Sequence, residues 1–211
     1  MAILDDLSMA IQKGRAKIVK ELVPQALAEG VSAKDILENG LLAGMNVIGE
    51  KFQKNEVYVP EVLIAARAMN AGTELLKGEL AKEGVEPIGK ACIGTVKGDL
   101  HDIGKNLVRM MFEGKGIEVI DLGIDVTPEM FVETAKKEGC NIIACSALLT
   151  TTMGVMQEVV ELAKAEGIRD NVKIMIGGAP VTQTFCDQIG ADAYTSDAAS
   201  AADLAYALIT K

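Results

Sequence analysis

The sequence predicts an all-helical N-terminal half followed by an α/β half. The second half is read as a doubly wound, five-stranded parallel sheet with helices on both faces. Three observations predict this. Apolar residues recur at helical spacing from the N-terminus to about residue 84. From residue 90 onward, short β-rich runs alternate with helical patterns, in five successive units. Between the two rhythms lies "KEGVEPIGK", residues 82 to 90, with two glycines and a proline that suit a linker. The expected domains are therefore residues 1–86 and 87–211.

In the first half, "LDDLSMAIQKGRAKIVKELVPQALAEG" has the helical repeat, and Gly14 and Pro24 are points where it can break. Ser32 followed by Asp35 resembles an acidic helix-start box and opens a long amphipathic run, "KDILENGLLAGMNVIGEKF". Pro60 fits the first turn of the next helix, "PEVLIAARAMNAGTELLKGEL". About four helices with short connections make a small antiparallel four-helix bundle. In the second half the strands are "KACIGTV", "IEVIDLG", "NIIACSA", "VKIMIGG" and "ADAYTS". Helices are expected at about 102–114, 128–138, 152–166, 180–189 and 197–210.

Composition bounds the function. The 211 residues are 49% hydrophobic, as in a folded globular chain, and carry a net charge of −9. That charge disfavours nucleic acid as a partner, because phosphate backbones are held by clustered cations. No apolar run approaches the roughly 20 residues of a membrane span. The N-terminus does not read as a secretory signal, so a cytoplasmic protein is expected. The four cysteines, Cys92, Cys140, Cys145 and Cys186, form no C-x-x-C pair and read as small buried hydrophobes.

Ligands of a doubly wound sheet bind beyond the carboxyl ends of its strands, where the strand order reverses. For the flavodoxin-like order 2-1-3-4-5 that place lies between strands one and three. Three unusual segments converge there. "GTVKGDLHDIGKNLV", residues 94–108, follows strand one and holds the only histidine, His101. "SALLTTTMG", residues 146–154, follows strand three and is crowded with hydroxyls. Gly177-Gly178 ends strand four and would admit a ligand close to the backbone.

Asp99 can accept a hydrogen bond from one nitrogen of His101. The tautomer is then fixed and the other nitrogen's lone pair is free for a metal. A lone loop histidine is most often an ordinary polar surface residue; one histidine cannot build a zinc site, so a metal held here would have to arrive already coordinated inside a macrocycle. A Ser/His/Asp hydrolase is the rival chemistry, but no G-x-S-x-G elbow accompanies it. Gly94 and Gly98 are not spaced as a dinucleotide fingerprint. The ten methionines read as core filler, with Met110, Met111, Met153 and Met156 after the two ligand loops as the exceptions to watch.

These residues resemble a known family. "GDLHDIGKNLV" is similar to the D-x-H-x-x-G motif of cobalamin-binding proteins, "SALLTTTM" to their S-x-L segment and "GGAPVT" to their glycine pair. The segment "MNVIGEKFQKNEVYVPEVLIAARAMNAG" resembles the helical cap of methionine synthase and of the corrinoid proteins of methyltransferase systems. The resemblance covers nearly the whole chain. It implies a four-helix cap joined to a Rossmann-like cobalamin domain.

The resemblance also implies roles. His101 would be the lower axial ligand of cobalt, with Asp99 behind its imidazole and the Thr152 hydroxyl continuing the relay. Leu100, Asp102, Ile103 and Gly104 would complete the loop against the cofactor. Ser146, Leu148 and Thr150 would line a slot for the displaced nucleotide tail, and Gly104, Gly177 and Gly178 would let it enter. Tyr58 would cover the methyl face, with Val62 and Leu63 helping.

The implied function is a corrinoid methyl carrier. It would accept a methyl group on Co(I) from a substrate-specific methyltransferase and pass it as methyl-Co(III) to a second one acting on tetrahydrofolate or coenzyme M. Co(I) prefers no lower ligand, so the His–Asp pair would take up a proton when cobalt is reduced. A reductive activator of Co(II) is a third implied partner. The chain shows no donor or acceptor site of its own, so it reads as a shuttle. A mutase subunit would lack this helical cap. A cobalamin sensor would carry a tryptophan and a second histidine in its cap, and this chain has neither.

Overall fold

The computed structural model describes residues 2–211, and the chain divides into two compact units. One runs to Pro87 and takes in Gly114–Gly116; the other comprises Ile88–Glu113 and Ile117–Lys211. No helix among the described residues is long and apolar enough to cross a membrane.

The first unit is helical. Helix α1 (Ala2–Gln12) buries Leu7 and Ile11 completely and stops at Gly14. Helix α2 (Ala16–Ala28) runs through Pro24, one of the two points where the sequence allows a break. A mid-helix proline costs about 3 kcal/mol. The helix persists because Val19, Val23 and Ala26 on its inner face are fully buried, where it packs on α1 and α5.

The expected start at Ser32 is observed: the Ser32 hydroxyl accepts from the Asp35 N–H at 3.0 Å. A second cap comes from 50 residues further on, where the Glu83 carboxylate accepts the Ala33 and Lys34 N–H groups at 2.8 and 3.0 Å. From there α3 (Ala33–Asp35) passes into a seven-residue π-helical stretch, Ile36–Leu42, and then α4 (Ala43–Gln53). Helix α5 (Val59–Glu83) has Pro60 in its first turn, and the Glu61 carboxylate accepts the Tyr58 N–H at 3.1 Å. Ile36, Leu41, Met45, Ile48, Met69 and Leu76 complete the bundle's buried interior.

The second unit is a five-stranded parallel sheet of order β2-β1-β3-β4-β5. Its strands are β1 (Gly89–Val96), β2 (Ile117–Val126), β3 (Ile142–Ser146), β4 (Lys173–Gly177) and β5 (Ala193–Tyr194). Helices α6 (Ile103–Glu113) and α10 (Ala198–Ile209) pack together, α6 also against β1 and β2. Helices α7 (Pro128–Glu138), α8 (Gly154–Ala165) and α9 (Gln183–Ile189) form the other set. They enclose a core of Cys92, Val96, Phe131, Ile143, Met156, Val160, Ile174 and Cys186. All four cysteines are buried free thiols. β2 runs three residues beyond its expected end and β5 keeps only two of its six expected residues.

Candidate functional site

The register brings Thr95 on β1, Ser146 on β3 and Gly177 on β4 into one row at the carboxyl edge of the sheet. The chain leaves each strand there, so residues 97–102 and 147–152 become neighbours although about 50 positions separate them. Asp99 is where they meet. It is fully buried. Five donors converge on its carboxylate: the His101 ring Nδ1 at 2.7 Å and N–H at 3.1 Å on Oδ1, and on Oδ2 the Leu148 N–H at 2.7 Å, the Leu149 N–H at 3.0 Å and the Thr152 hydroxyl at 3.2 Å.

Burial opposes ionisation of Asp99, but the bonds from His101 and from the Leu148 and Leu149 N–H groups outweigh it. The carboxyl is held well below the usual carboxylate range. An ionised carboxylate only accepts, so Nδ1 of His101 carries the hydrogen, and in the neutral imidazole the lone pair is then on Nε2. The imidazole is 52% exposed while Asp99 behind it is completely buried. The hydroxyl of buried Thr152 has one hydrogen and two acceptors, Asp99 Oδ2 and, closer at 2.9 Å, the Leu149 carbonyl. Its link to Asp99 is therefore shared with the turn it closes.

Other predicted residues fall around this pair. Leu100 and Ile103 are 67% and 78% exposed, and Leu148 and Leu149 are also exposed. Asp102 accepts from the Asn106 side chain at 3.0 Å at the start of α6. Thr150 is exposed in a 3-10 turn. A Cβ on Gly104 or Gly177 would meet open space.

Gly178 differs. Its φ is +128° and a Cβ there would lie 1.8 Å from the Ala147 carbonyl oxygen. Its glycine identity is thus required by the backbone crossing of β3's extension, before any ligand is considered. Met111 and Met156 are buried in the core and Met110 and Met153 half-buried. Tyr58 lies in the other unit, 66% exposed at the start of α5; Val62 is buried and Leu63 half-buried on that helix.

Three contributors were not anticipated. The buried Thr95 hydroxyl donates to the His101 carbonyl at 2.9 Å, tying the loop to its own strand. The Leu148 and Leu149 N–H groups hold Asp99 through the main chain. Asp125, at the end of β2, also touches the loop.

Among the described residues no three His, Cys, Asp or Glu side chains gather as a metal site. The donor set is one imidazole lone pair beside exposed leucine and isoleucine side chains. That set fits a broad apolar macrocycle whose metal lacks one axial ligand, and it does not fit a bare cation.

Two models of the B12 binding domain match the chain, over residues 89–203 and 3–77. A corrinoid protein of Desulfitobacterium hafniense (strain Y51) is 42% identical, across 100% of this chain and 99% of its own length. Dimethylamine corrinoid protein 1 of Methanosarcina mazei is 44% identical over 94% of this chain and 92% of its own. Among solved structures, the methanol:cobalamin methyltransferase complex of Methanosarcina barkeri superposes with a TM-score of 0.89 at 30% identity, over 99% of this chain and 80% of that one.

Proposed function

The chain belongs to the B12-binding family and binds a corrinoid, and from that premise we propose that it carries a methyl group between two methyltransferases. The observation that supports this most is the Asp99–His101 pair: a buried carboxylate fixes the tautomer of an exposed imidazole at the sheet's ligand edge. When bound, the corrinoid supplies the cobalt on which the methyl group is taken up and given away.

The chain's own residues provide the rest. His101 would hold the cobalt through Nε2. Asp99 holds the hydrogen on Nδ1 and strengthens the donor. Asp99 would offset the charge of an imidazole protonated on Nε2. Leu100, Asp102, Ile103 and Gly104 would face the macrocycle from the loop. Ser146, Leu148, Thr150, Gly177 and Gly178 line the tail slot. Of the residues expected to cover the methyl group, Tyr58 is exposed and could face it, whereas Val62 is buried inside its own bundle. Thr152 braces Asp99.

The partners are a substrate-specific methyltransferase, a second methyltransferase acting on tetrahydrofolate or coenzyme M, and a reductive activator. The relatives are named for dimethylamine and trimethylamine, and a structural neighbour for methanol, so these are the donors to compare first. The protein, loaded with cobalamin and reduced, is mixed with each radiolabelled donor and its methyltransferase. Label should move to the protein with one donor class only. Loaded, reduced protein that takes label from none of them, nor from a methoxylated aromatic or betaine system, would contradict methyl carriage.

A further inference from the structure

The end of β2 is built in an unusual way. Its pairing with β1 steps from Ile93↔Asp121 to Gly94↔Gly123 and then to Val96↔Val126, so β2 carries an extra residue at each step. Such bulges bend a strand and re-aim the residues beyond them. Here they deliver Asp125 with φ +55°, in the left-handed region that side chains rarely occupy.

Asp125 in that conformation grips the His101 loop twice. Its carboxylate accepts the Gly98 N–H at 2.7 Å, and its own N–H donates to the Asp99 carbonyl at 3.2 Å. Both bonds fall on the residues that place Asp99. The bulged segment is anchored from behind. Asp121 pairs with buried Lys105 and with Arg109 of α6, and accepts the Gly123 N–H at 2.9 Å. The clamp thus joins β2 both to the His101 loop and to the helix after that loop.

We propose that Asp125 is a positioning residue for the cobalt ligand. It fixes the Gly98–Asp99 backbone so that the Asp99 carboxylate meets Nδ1 of His101, and it thereby sets how firmly Nε2 is presented. This rests on His101 being the lower ligand.

Two variants of the cobalamin-loaded protein separate this from a role in shaping β2 alone. Asp125→Gly relieves the left-handed backbone and removes the acceptor. Asp125→Asn keeps an acceptor oxygen, and asparagine tolerates that backbone. The readout is the ratio of histidine-bound to histidine-free Co(II), from nitrogen splitting in electron paramagnetic resonance, beside the melting temperature of the apoprotein. Asp125→Gly should lower that ratio by roughly threefold to tenfold, the scale of one lost hydrogen bond. Melting should change little, and Asp125→Asn should restore most of the ratio. An unchanged ratio in Asp125→Gly would overturn the proposal, as would equal loss in both variants, which would trace the effect to charge. Absence of nitrogen splitting in the parent would remove the ligand assignment itself, and the proposal with it, and is distinguishable because it precedes either variant.

Discussion

Asp99→Asn should cost about 3 kcal/mol of stability at neutral pH, an effect of the size seen when one partner of a buried charged network is removed. Five donors point at the carboxylate, on both oxygens. An asparagine has one oxygen and one NH2. Whichever way it turns, the NH2 faces donors: the two from His101, or the Leu148 and Leu149 N–H groups. The loss therefore spreads to residues 147–152 as well as the imidazole. Cofactor affinity should fall along with the histidine bond. The pH dependence has a definite sign. The folded-state pKa is depressed, so the stabilisation is fully present above the unfolded value of about 4 and is lost as pH falls below it. Urea unfolding of parent and variant should show a gap that is constant above about pH 5 and narrows in acid. A gap equal at all pH values would mean that the charge of Asp99 does not contribute.

Gly178→Ala should be the most destabilising single methyl in the sheet domain, by roughly 3–5 kcal/mol. Its Cβ would overlap the Ala147 carbonyl at 1.8 Å, and backbone at φ +128° is almost closed to other residues. The neighbouring Ala147 N–H is bonded to the Gly177 carbonyl at 3.1 Å, so neither side of the crossing can retreat cheaply. Gly104→Ala is the contrast. It adds a methyl into open space in the first turn of α6, and should leave the apoprotein as stable or stabilise it by about 0.5–1 kcal/mol. If Gly104 also faces the cofactor, Gly104→Leu should weaken cobalamin uptake without early melting. A Gly178→Ala apoprotein that melts like the parent would show that the crossing relaxes.

Much of the fold was legible in the sequence because hydrophobic period and turn chemistry are local signals. The strand–helix alternation and the helix starts at Ser32 and Pro60 came from such signals, and the gathering of the His101, Ser146 and Gly177 segments at one edge followed from the topology that the alternation implies. What remained hidden is set by tertiary contact. Helix α2 continues through Pro24 because its buried face outweighs a local penalty. The β2 bulges lie at and beyond Gly123, where the strand read as "IEVIDLG" was expected to end. The holders of Asp99 include two main-chain N–H groups 49 and 50 residues away, and a backbone donor has no residue identity to read. Thr95 looks like any β-branched strand residue until its hydroxyl is seen on the His101 carbonyl.

The central claim is that His101 supplies the lower ligand of the corrinoid cobalt. Its most direct test uses the cobalamin-loaded protein in the Co(II) state, prepared once with natural-abundance histidine and once with nitrogen-15 histidine. Because the chain has a single histidine, any histidine coupling is from His101. The expected result is a nitrogen splitting in the electron paramagnetic resonance spectrum that changes pattern with the isotope. A splitting that is absent, or identical in the two samples, would contradict the account.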